Sequence, residues 1–125
     1  MRLNIKPDCG NAPKRELVKY LTCYFASNEI EKGMGFLDTD IRWELVGNKT
    51  IRGKDQFRLE LHKRRQNNLV ELTIHSILSH GKEAAINGEM LFEDGSVIGF
   101  SDFYEFTSAK GNRVKTVVSY MCEVK

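Results

Sequence analysis

The chain of 125 residues has few cysteines, only two prolines and no long apolar run. Its three cysteines, Cys9, Cys23 and Cys122, form no C-x-x-C pair and leave at least one thiol unpaired, which argues against a secreted disulfide framework. A reducing cytoplasm is therefore the expected compartment. No stretch of about 18 apolar residues could span a bilayer, and residues 1–13 lack the apolar core of a signal peptide.

An excess of charge of one sign is also absent. The 19 Lys and Arg residues and 17 Asp and Glu residues leave a formal net charge of +2, too small to attract nucleic acid or an acidic membrane surface. The one dense basic run, His62 to Arg65, closes a predicted helix, where cations complement the helix dipole without any partner. We therefore expect no nucleic-acid or membrane partner, and a small apolar or mixed ligand instead.

Patterns of metal and nucleotide sites are missing as well. His62, His75 and His80 fall on different predicted elements, and the cysteines stand alone, so no set of residues has metal-ligand spacing. There is no phosphate-binding glycine loop and no dinucleotide fingerprint. The sequence thus predicts neither a metal site nor another cofactor.

Helical periodicity is confined to the first half of the chain. Residues 13–27 carry apolar side chains at i, i+3 and i+4 spacing after Pro13, which favours the first turn of a helix. Asn28 and Glu31 resemble a capping box for a short second helix. A third helix begins near Asp55 and stops near Asn67.

Strand patterns fill the rest. Ile41, Trp43 and Leu45 alternate with charged residues, which predicts a half-buried strand with Trp43 facing inward. From Leu69 onward we predict four strands joined by glycine-bearing turns, at residues 69–79, 83–92, 97–107 and 113–124. The order predicts a single α+β domain over residues 1–125, in which three helices cover one face of a curved antiparallel or mixed sheet and enclose a pocket.

Several short motifs then resemble the SnoaL-like branch of the NTF2-like superfamily. They are Asp40-x-x-Trp43, the helix start Gly53-Lys54-Asp55-x-Phe57, the hairpin Gly88…Phe92-x-Asp94-Gly95, the run Asp102-Phe103-Tyr104-Glu105-Phe106, and Ser119-Tyr120. The resemblance covers nearly the whole chain. It implies a cone-shaped, cystatin-like α+β roll with a deep apolar pocket, and often a homodimer through the outer sheet face. Members include isomerases, cyclases, dehydratases and epoxide hydrolases, and also non-catalytic binding or accessory domains.

Asp102 is the leading candidate for chemistry. Alternation along residues 97–107 places Asp102 and Tyr104 on the inward face and Phe103 on the other. A carboxylate in an apolar cavity has a raised pKa and can act as a general acid or base near neutral pH. The resemblance implies the same role for an acid on this strand. Alternatively, Asp102 is only hydrogen-bonded to Tyr120, Trp43 or a backbone amide.

Alternation in the other strands supplies further candidates. In residues 113–124 it places Tyr120 inward, beside Asp102 or Tyr104. Its hydroxyl could there orient a substrate or stabilise an oxyanion, unless it is an ordinary core tyrosine. In residues 69–79 it places Ser76 inward. The predicted catalytic residues are Asp102 and Tyr120, and the predicted ligand-binding residues are Tyr24, Trp43, Ser76, Met90 and Tyr104.

Two functions remain open. One is an acid–base enzyme of isomerase, cyclase, dehydratase or hydrolase type that acts on a small hydrophobic molecule through Asp102. The other is a non-catalytic small-molecule-binding or accessory domain. The inward carboxylate favours the enzyme, and the lack of a second inward acid on the long strands favours the binding domain. The lack of a second inward acid also departs from the two acids and an arginine that the resemblance implies for epoxide hydrolysis.

The outward face of the sheet predicts an assembly. Alternation places Ile77, Phe103, Val117 and Met121 there, an apolar set for a face that would otherwise meet water. We expect a homodimer through this outer face, with Phe103, Val117 and Met121 in the interface.

Overall fold

The computed structural model describes residues 1–6, 12–64 and 68–124, and within them one mixed sheet of seven strands is covered by three helices. The strands are β1 (Arg2–Ile5), β2 (Leu37–Leu45), β3 (Lys49–Arg52), β4 (Leu69–His80), β5 (Glu83–Phe92), β6 (Val97–Phe106) and β7 (Val114–Glu123). The helices are α1 (Pro13–Ala26), α2 (Ile30–Met34) and α3 (Lys54–Lys63).

The strand order across the sheet is β1-β4-β5-β6-β7-β2-β3. Strands β4 to β7 form the antiparallel meander that the glycine turns predicted, while β1 runs parallel to β4 and β2 runs parallel to β7. Helix α1 packs on β4 and β5, and α3 packs on β2 and β3. The predicted α+β class, with three helices on a curved mixed sheet, is confirmed.

Some sequence predictions involve residues without a described structure. Cys9, Arg65 and Asn67 lie outside the described residues. Cys23 and Cys122 are free thiols. No helix among the described residues is long and apolar enough to cross a membrane.

The capping box predicted at Asn28 is wrong. Asn28 has a φ of 74°, the left-handed conformation that ends a helix, and the Glu29 amide donates to the Tyr24 carbonyl at 2.9 Å. Asn28 therefore closes α1 instead of opening α2. The Glu31 carboxylate, expected to cap α2, accepts a hydrogen bond from Arg58 of α3 at 2.7 Å.

The edge strand β1 was not predicted. Its residues Arg2–Ile5 are all exposed, so they carry no alternation between core and solvent that a sequence pattern could reveal. The strand exists because its backbone pairs with β4, in register from Arg2 opposite Glu71 to Ile5 opposite Ile74.

A bulge in β7 changes which residues face inward. Thr116 lies opposite Glu105, but Val114 lies opposite Phe106, so the residue between Val114 and Thr116 has no partner on β6. An extra residue of this kind exchanges the two faces of a strand, because side chains alternate with a period of two.

The exchange overturns three predictions on β7. Val114 is buried, and beyond the bulge Val117 and Ser119 are the buried residues. Met121 lines the interior cavity instead of the outer face. Tyr120, predicted to face inward, lies on the outer face and is 50% exposed.

A second irregularity has the same effect on β4. Ile74 pairs with Gly88, yet Ser76 pairs with the neighbouring Asn87, so the register slips by one residue. Ile77, predicted to face outward, is buried, and Ser76, predicted to face the pocket, is exposed. Strands β4 and β5 approach each other so closely here that only glycine fits at position 88. A Cβ on Gly88 would lie 1.9 Å from the Thr73 carbonyl oxygen.

The core lies between the helices and the inner face of the sheet. Its completely buried members come from α1, β2, β4, β5, β6 and β7, so the helix and the long strands share one hydrophobic cluster. The largest are Leu21, Leu37, Ile41, Leu72, Ile74, Ile86 and Phe106. This cluster supports a cavity further along the same face of the sheet.

Candidate functional site

A cavity of about 900 Å³ opens between the helices and the inner face of the sheet. Its size lies within the range of about 300–1,000 Å³ typical of small-molecule sites. Its walls are mostly apolar and come from α1, α3 and five strands. They include Phe25, Trp43, Phe57, Leu61, Leu72, Met90, Phe92, Ile98, Phe100 and Val117.

Three aromatic rings hold one wall of the cavity in place. The Trp43 ring of β2 packs against Phe57 of α3 with 4.7 Å between ring centroids, and Phe57 packs against Phe25 of α1 at 5.4 Å. Tilted contacts at these distances are favourable aromatic geometry. Because they link a strand to two helices, the wall that carries Trp43 is firmly placed.

Asp102 is the acid in the interior of the cavity. It lies on β6 opposite Ser119 of β7, and its partly exposed side chain is among those that line the cavity. Burial raises the pKa of Asp102 from 3.8 to about 6, against a lowering by the hydrogen bond with Ser119. The carboxyl group therefore exchanges its proton near neutral pH, as a general acid or base must.

Ser119 lies opposite Asp102 and lowers its pKa as a hydrogen-bond donor does, and sequence reasoning missed it. The indole Nε1 of Trp43 donates to Ser119 Oγ at 2.8 Å, and both residues are buried, at 7% and 4% exposure. Strict alternation put Ser119 on the outer face because it ignored the bulge. The adjacent pair Val117 and Val118, apolar on both faces, was a signal that alternation fails in this strand.

Tyr104 is a second buried polar group on the cavity wall. Burial and the charge of Asp102 raise the pKa of its phenol, against a lowering by the hydrogen bond with Thr22. The Thr22 hydroxyl donates to the Val18 carbonyl at 2.8 Å, so its oxygen can accept from Tyr104. Tyr104 thus remains a neutral phenol at every pH at which Asp102 titrates.

Four of the seven predicted site residues line the cavity: Asp102, Trp43, Met90 and Tyr104. Their placement agrees with the alternation in β2, β5 and β6, while their chemical roles stay predictions.

The other three predicted residues do not reach the cavity. Tyr24 stacks on Tyr20 with 6.3 Å between ring centroids, because the cavity side of α1 is taken by Thr22 and Phe25. Tyr120 packs edge-on against Phe103 on the outer face at 6.0 Å. Ser76 is exposed beyond the irregularity in β4.

The mouth of the cavity is polar. The residues there include Ser27, Asn28, Lys63, Asn68 and Glu123. Among the described residues that line the cavity, Asp102 and Glu123 are the only acids, and Glu123 is exposed at the end of β7. The inner part of the cavity thus holds one described acid. Over residues 1–6, 12–64 and 68–124, no three His, Cys, Asp or Glu side chains come together to hold a metal ion.

No protein-family model matches the sequence, and no curated protein matches it. Solved structures do match. An NTF2-like protein of unknown function from Cytophaga hutchinsonii ATCC 33406 aligns with a TM-score of 0.67 and 17% identity, over 87% of this chain and 99% of the other.

Two further solved structures carry names that suggest an activity. A candidate ketosteroid isomerase from Kribbella flavida DSM 17836 aligns with a TM-score of 0.75 and 20% identity, over 90% of this chain and 79% of the other. A candidate SnoaL-like polyketide cyclase from Shewanella denitrificans OS-217 aligns with a TM-score of 0.73 and 11% identity, over 89% and 92%. Identities this low establish architecture alone. The chain therefore has the NTF2-like fold that its motifs predicted.

Proposed function

We propose that the cavity binds a small, mainly apolar molecule and that Asp102 exchanges a proton with it, as in an isomerase, cyclase, dehydratase or hydrolase. One observation carries the proposal: a carboxyl group with a pKa raised to about 6 lines an otherwise largely apolar cavity of about 900 Å³. Two structures of the same architecture are named for a ketosteroid isomerase and a polyketide cyclase, which supports a small-molecule substrate for this cavity.

The chemistry follows from the charge states. Near pH 7 most Asp102 side chains are ionised, so the carboxylate can remove a proton from carbon next to a carbonyl group. Negative charge then develops on the carbonyl oxygen, and the neutral Tyr104 phenol can stabilise it if its one proton turns from Thr22 to that oxygen. Return of the proton from Asp102 to a different carbon completes an isomerisation and restores the carboxylate.

Proton abstraction can be tested without the natural substrate. Nitrobenzisoxazole is a small apolar ring that opens to a coloured phenolate when a base removes one proton. We expect turnover that rises with pH through about 6, following ionisation of Asp102. Asp102→Asn should abolish this dependence, and Tyr120→Phe, on the outer face, should leave it unchanged. Equal rates for wild type and Asp102→Asn would overturn the proposal.

The second candidate function is ligand binding without turnover. It is favoured by the single acid in the described interior, because many acid–base reactions need two titrating groups. An apolar fluorophore should then bind wild type and Asp102→Asn about equally, while neither protein opens the nitrobenzisoxazole ring.

We also propose that a second copy of the chain covers the outer face. Leu78, Ala85, Phe103 and Val118 lie opposite one another in a row across β4, β5, β6 and β7. Leu78 is 69% exposed and Phe103 is 50% exposed. This row, which we call the outer stripe, replaces the interface predicted through Phe103, Val117 and Met121, of which only Phe103 remains. A two-fold axis would bring the stripe against its own copy.

A further inference from the structure

We infer that Trp43 and Ser119 are a positioning pair for Asp102, in which the indole fixes the Ser119 hydroxyl so that its one proton points at the carboxylate. The geometry is independent of any reaction, and only the effect on turnover rests on the proposed role of Asp102. Neither residue need touch a substrate.

The direction of each hydrogen bond follows from the atoms involved. An indole N–H is a donor only, so Ser119 Oγ must be the acceptor in its 2.8 Å contact with Trp43 Nε1. The hydroxyl proton of Ser119 cannot point back at the indole and needs another acceptor. Asp102 lies directly opposite Ser119 and is the acceptor within reach, and the serine hydroxyl lowers its pKa as a hydrogen-bond donor does.

The sheet aligns the three side chains. Strand β7 lies between β6 and β2, so Asp102, Ser119 and Trp43 come from three neighbouring strands. Trp43 is paired with Val117, two residues before Ser119, which lets its long side chain reach the serine. The contact of Trp43 with Phe57 at 4.7 Å keeps the indole from turning away.

The bulge in β7 makes the alignment of Asp102, Ser119 and Trp43 possible. Without the unpaired residue between Val114 and Thr116, pairing that starts from Val114 opposite Phe106 would turn Ser119 outward and place Val118 opposite the carboxylate. Valine has no hydroxyl to donate to Asp102. The alignment of these three side chains therefore depends on an irregularity of backbone pairing.

A fixed donor has two consequences for Asp102. It stabilises the ionised form, which offsets part of the effect of burial. It also occupies one carboxylate oxygen, so the other oxygen is the one that takes up the proton and meets a ligand. The positioning pair thus lowers the pH range in which Asp102 works from the one that burial alone would give, and it selects the oxygen that exchanges the proton.

Titration of Asp102 by NMR of its carboxyl carbon tests the inference directly. In Ser119→Ala we expect the midpoint to rise by about one pH unit, the effect of one hydrogen bond to a charged group. Ser119→Thr keeps a hydroxyl and should restore a midpoint near that of wild type. Trp43→Phe keeps an aromatic ring, although a smaller one, and loses the N–H, so it should raise the midpoint by less than Ser119→Ala does.

Ser101→Ala is the matched control, since Ser101 lies next to Asp102 on β6 and pairs with Tyr120 on β7. It should leave the midpoint unchanged. An unchanged midpoint in folded Ser119→Ala, or equal shifts in Ser101→Ala and Ser119→Ala, would overturn the inference. If Trp43→Phe fails to fold, the Ser119 variants still decide the matter. Nitrobenzisoxazole turnover is read separately, so a shifted midpoint without turnover would reject the proposed function and leave the positioning pair standing.

Discussion

Asp102 carries a charge that the folded state would be more stable without. Its pKa rises from 3.8 to about 6 on folding because burial disfavours the ionised form. At 1.36 kcal/mol for each pKa unit, the ionised carboxylate costs the folded state about 3 kcal/mol. The cost is absent below pH 3.8, where both states are protonated, grows between 3.8 and about 6, and is constant above. Residues that lower stability in this way are typical of functional sites.

Asp102→Asn should therefore stabilise the protein at neutral pH. We expect its free energy of unfolding to exceed that of wild type by about 1–3 kcal/mol near pH 7.5, because the amide is never ionised. Urea unfolding measured between about pH 4 and 7.5 checks this, and the advantage should disappear toward the acid end. A difference that stays constant over this range would contradict a buried, titrating Asp102.

Alternation predicted the faces of β2 and β6 correctly and failed in β7 and the second half of β4. The reason is physical: the faces of Asp102 and Tyr104 follow from local geometry, whereas a bulge belongs to the pairing of two strands and leaves little trace in either one. Ser119 and Ile77 both lie just beyond such irregularities. The stripe of α1 was predicted too broadly, since Thr22, Phe25 and Ala26 take the cavity side of the helix and Tyr24 lies off it.

Gly88 offers a test of the irregularity in β4. In Gly88→Ala the new Cβ would lie 1.9 Å from the Thr73 carbonyl oxygen, so the backbone of β4 or β5 must move. We expect a loss of about 3 kcal/mol or more in the free energy of unfolding, measured with urea.

Gly35→Ala is the control for this substitution. Gly35 has a φ of −65°, and a Cβ added there would meet no atom within 4 Å, so alanine should be neutral or slightly stabilising. Similar losses in both variants would mean that Gly88 is not held by the close approach of the strands.

At the scale of the whole molecule, the order of the three helices, of β2 and of the meander β4 to β7 could be predicted, together with the covered face of the sheet. The edge strand β1 could not, and the outer face only in part. Phe103 was placed correctly because β6 is regular. Val117 and Met121 were not, because they follow the bulge in β7. The apolar character of the outer face is still present, carried by Leu78 and Val118 instead.

The outer stripe should hold two copies of the chain together. Phe103→Glu would place two like charges near the two-fold axis, and we expect it to yield monomers in sedimentation velocity at tens of micromolar. Leu59→Glu, at a leucine of α3 that is 54% exposed and lies outside the outer stripe, should sediment like wild type. A monomeric wild type at the same concentration would rule out the second copy as the partner of this face.

One layer of sheet, formed here by β6 and β7, separates the cavity from the outer stripe. Asp102 precedes Phe103, and Ser119 precedes Tyr120, so each residue of the site has a neighbour in the chain on the opposite side of the sheet. A subunit that presses on Phe103 and Tyr120 thus bears on the strands that align the carboxylate with its serine. Thermodynamic linkage then makes the effect reciprocal. If dimerisation changes the ligand affinity by some factor, ligand binding changes the affinity of the dimer by the same factor. Occupancy of the cavity and subunit concentration would thereby become coupled variables, through the two strands that both surfaces share.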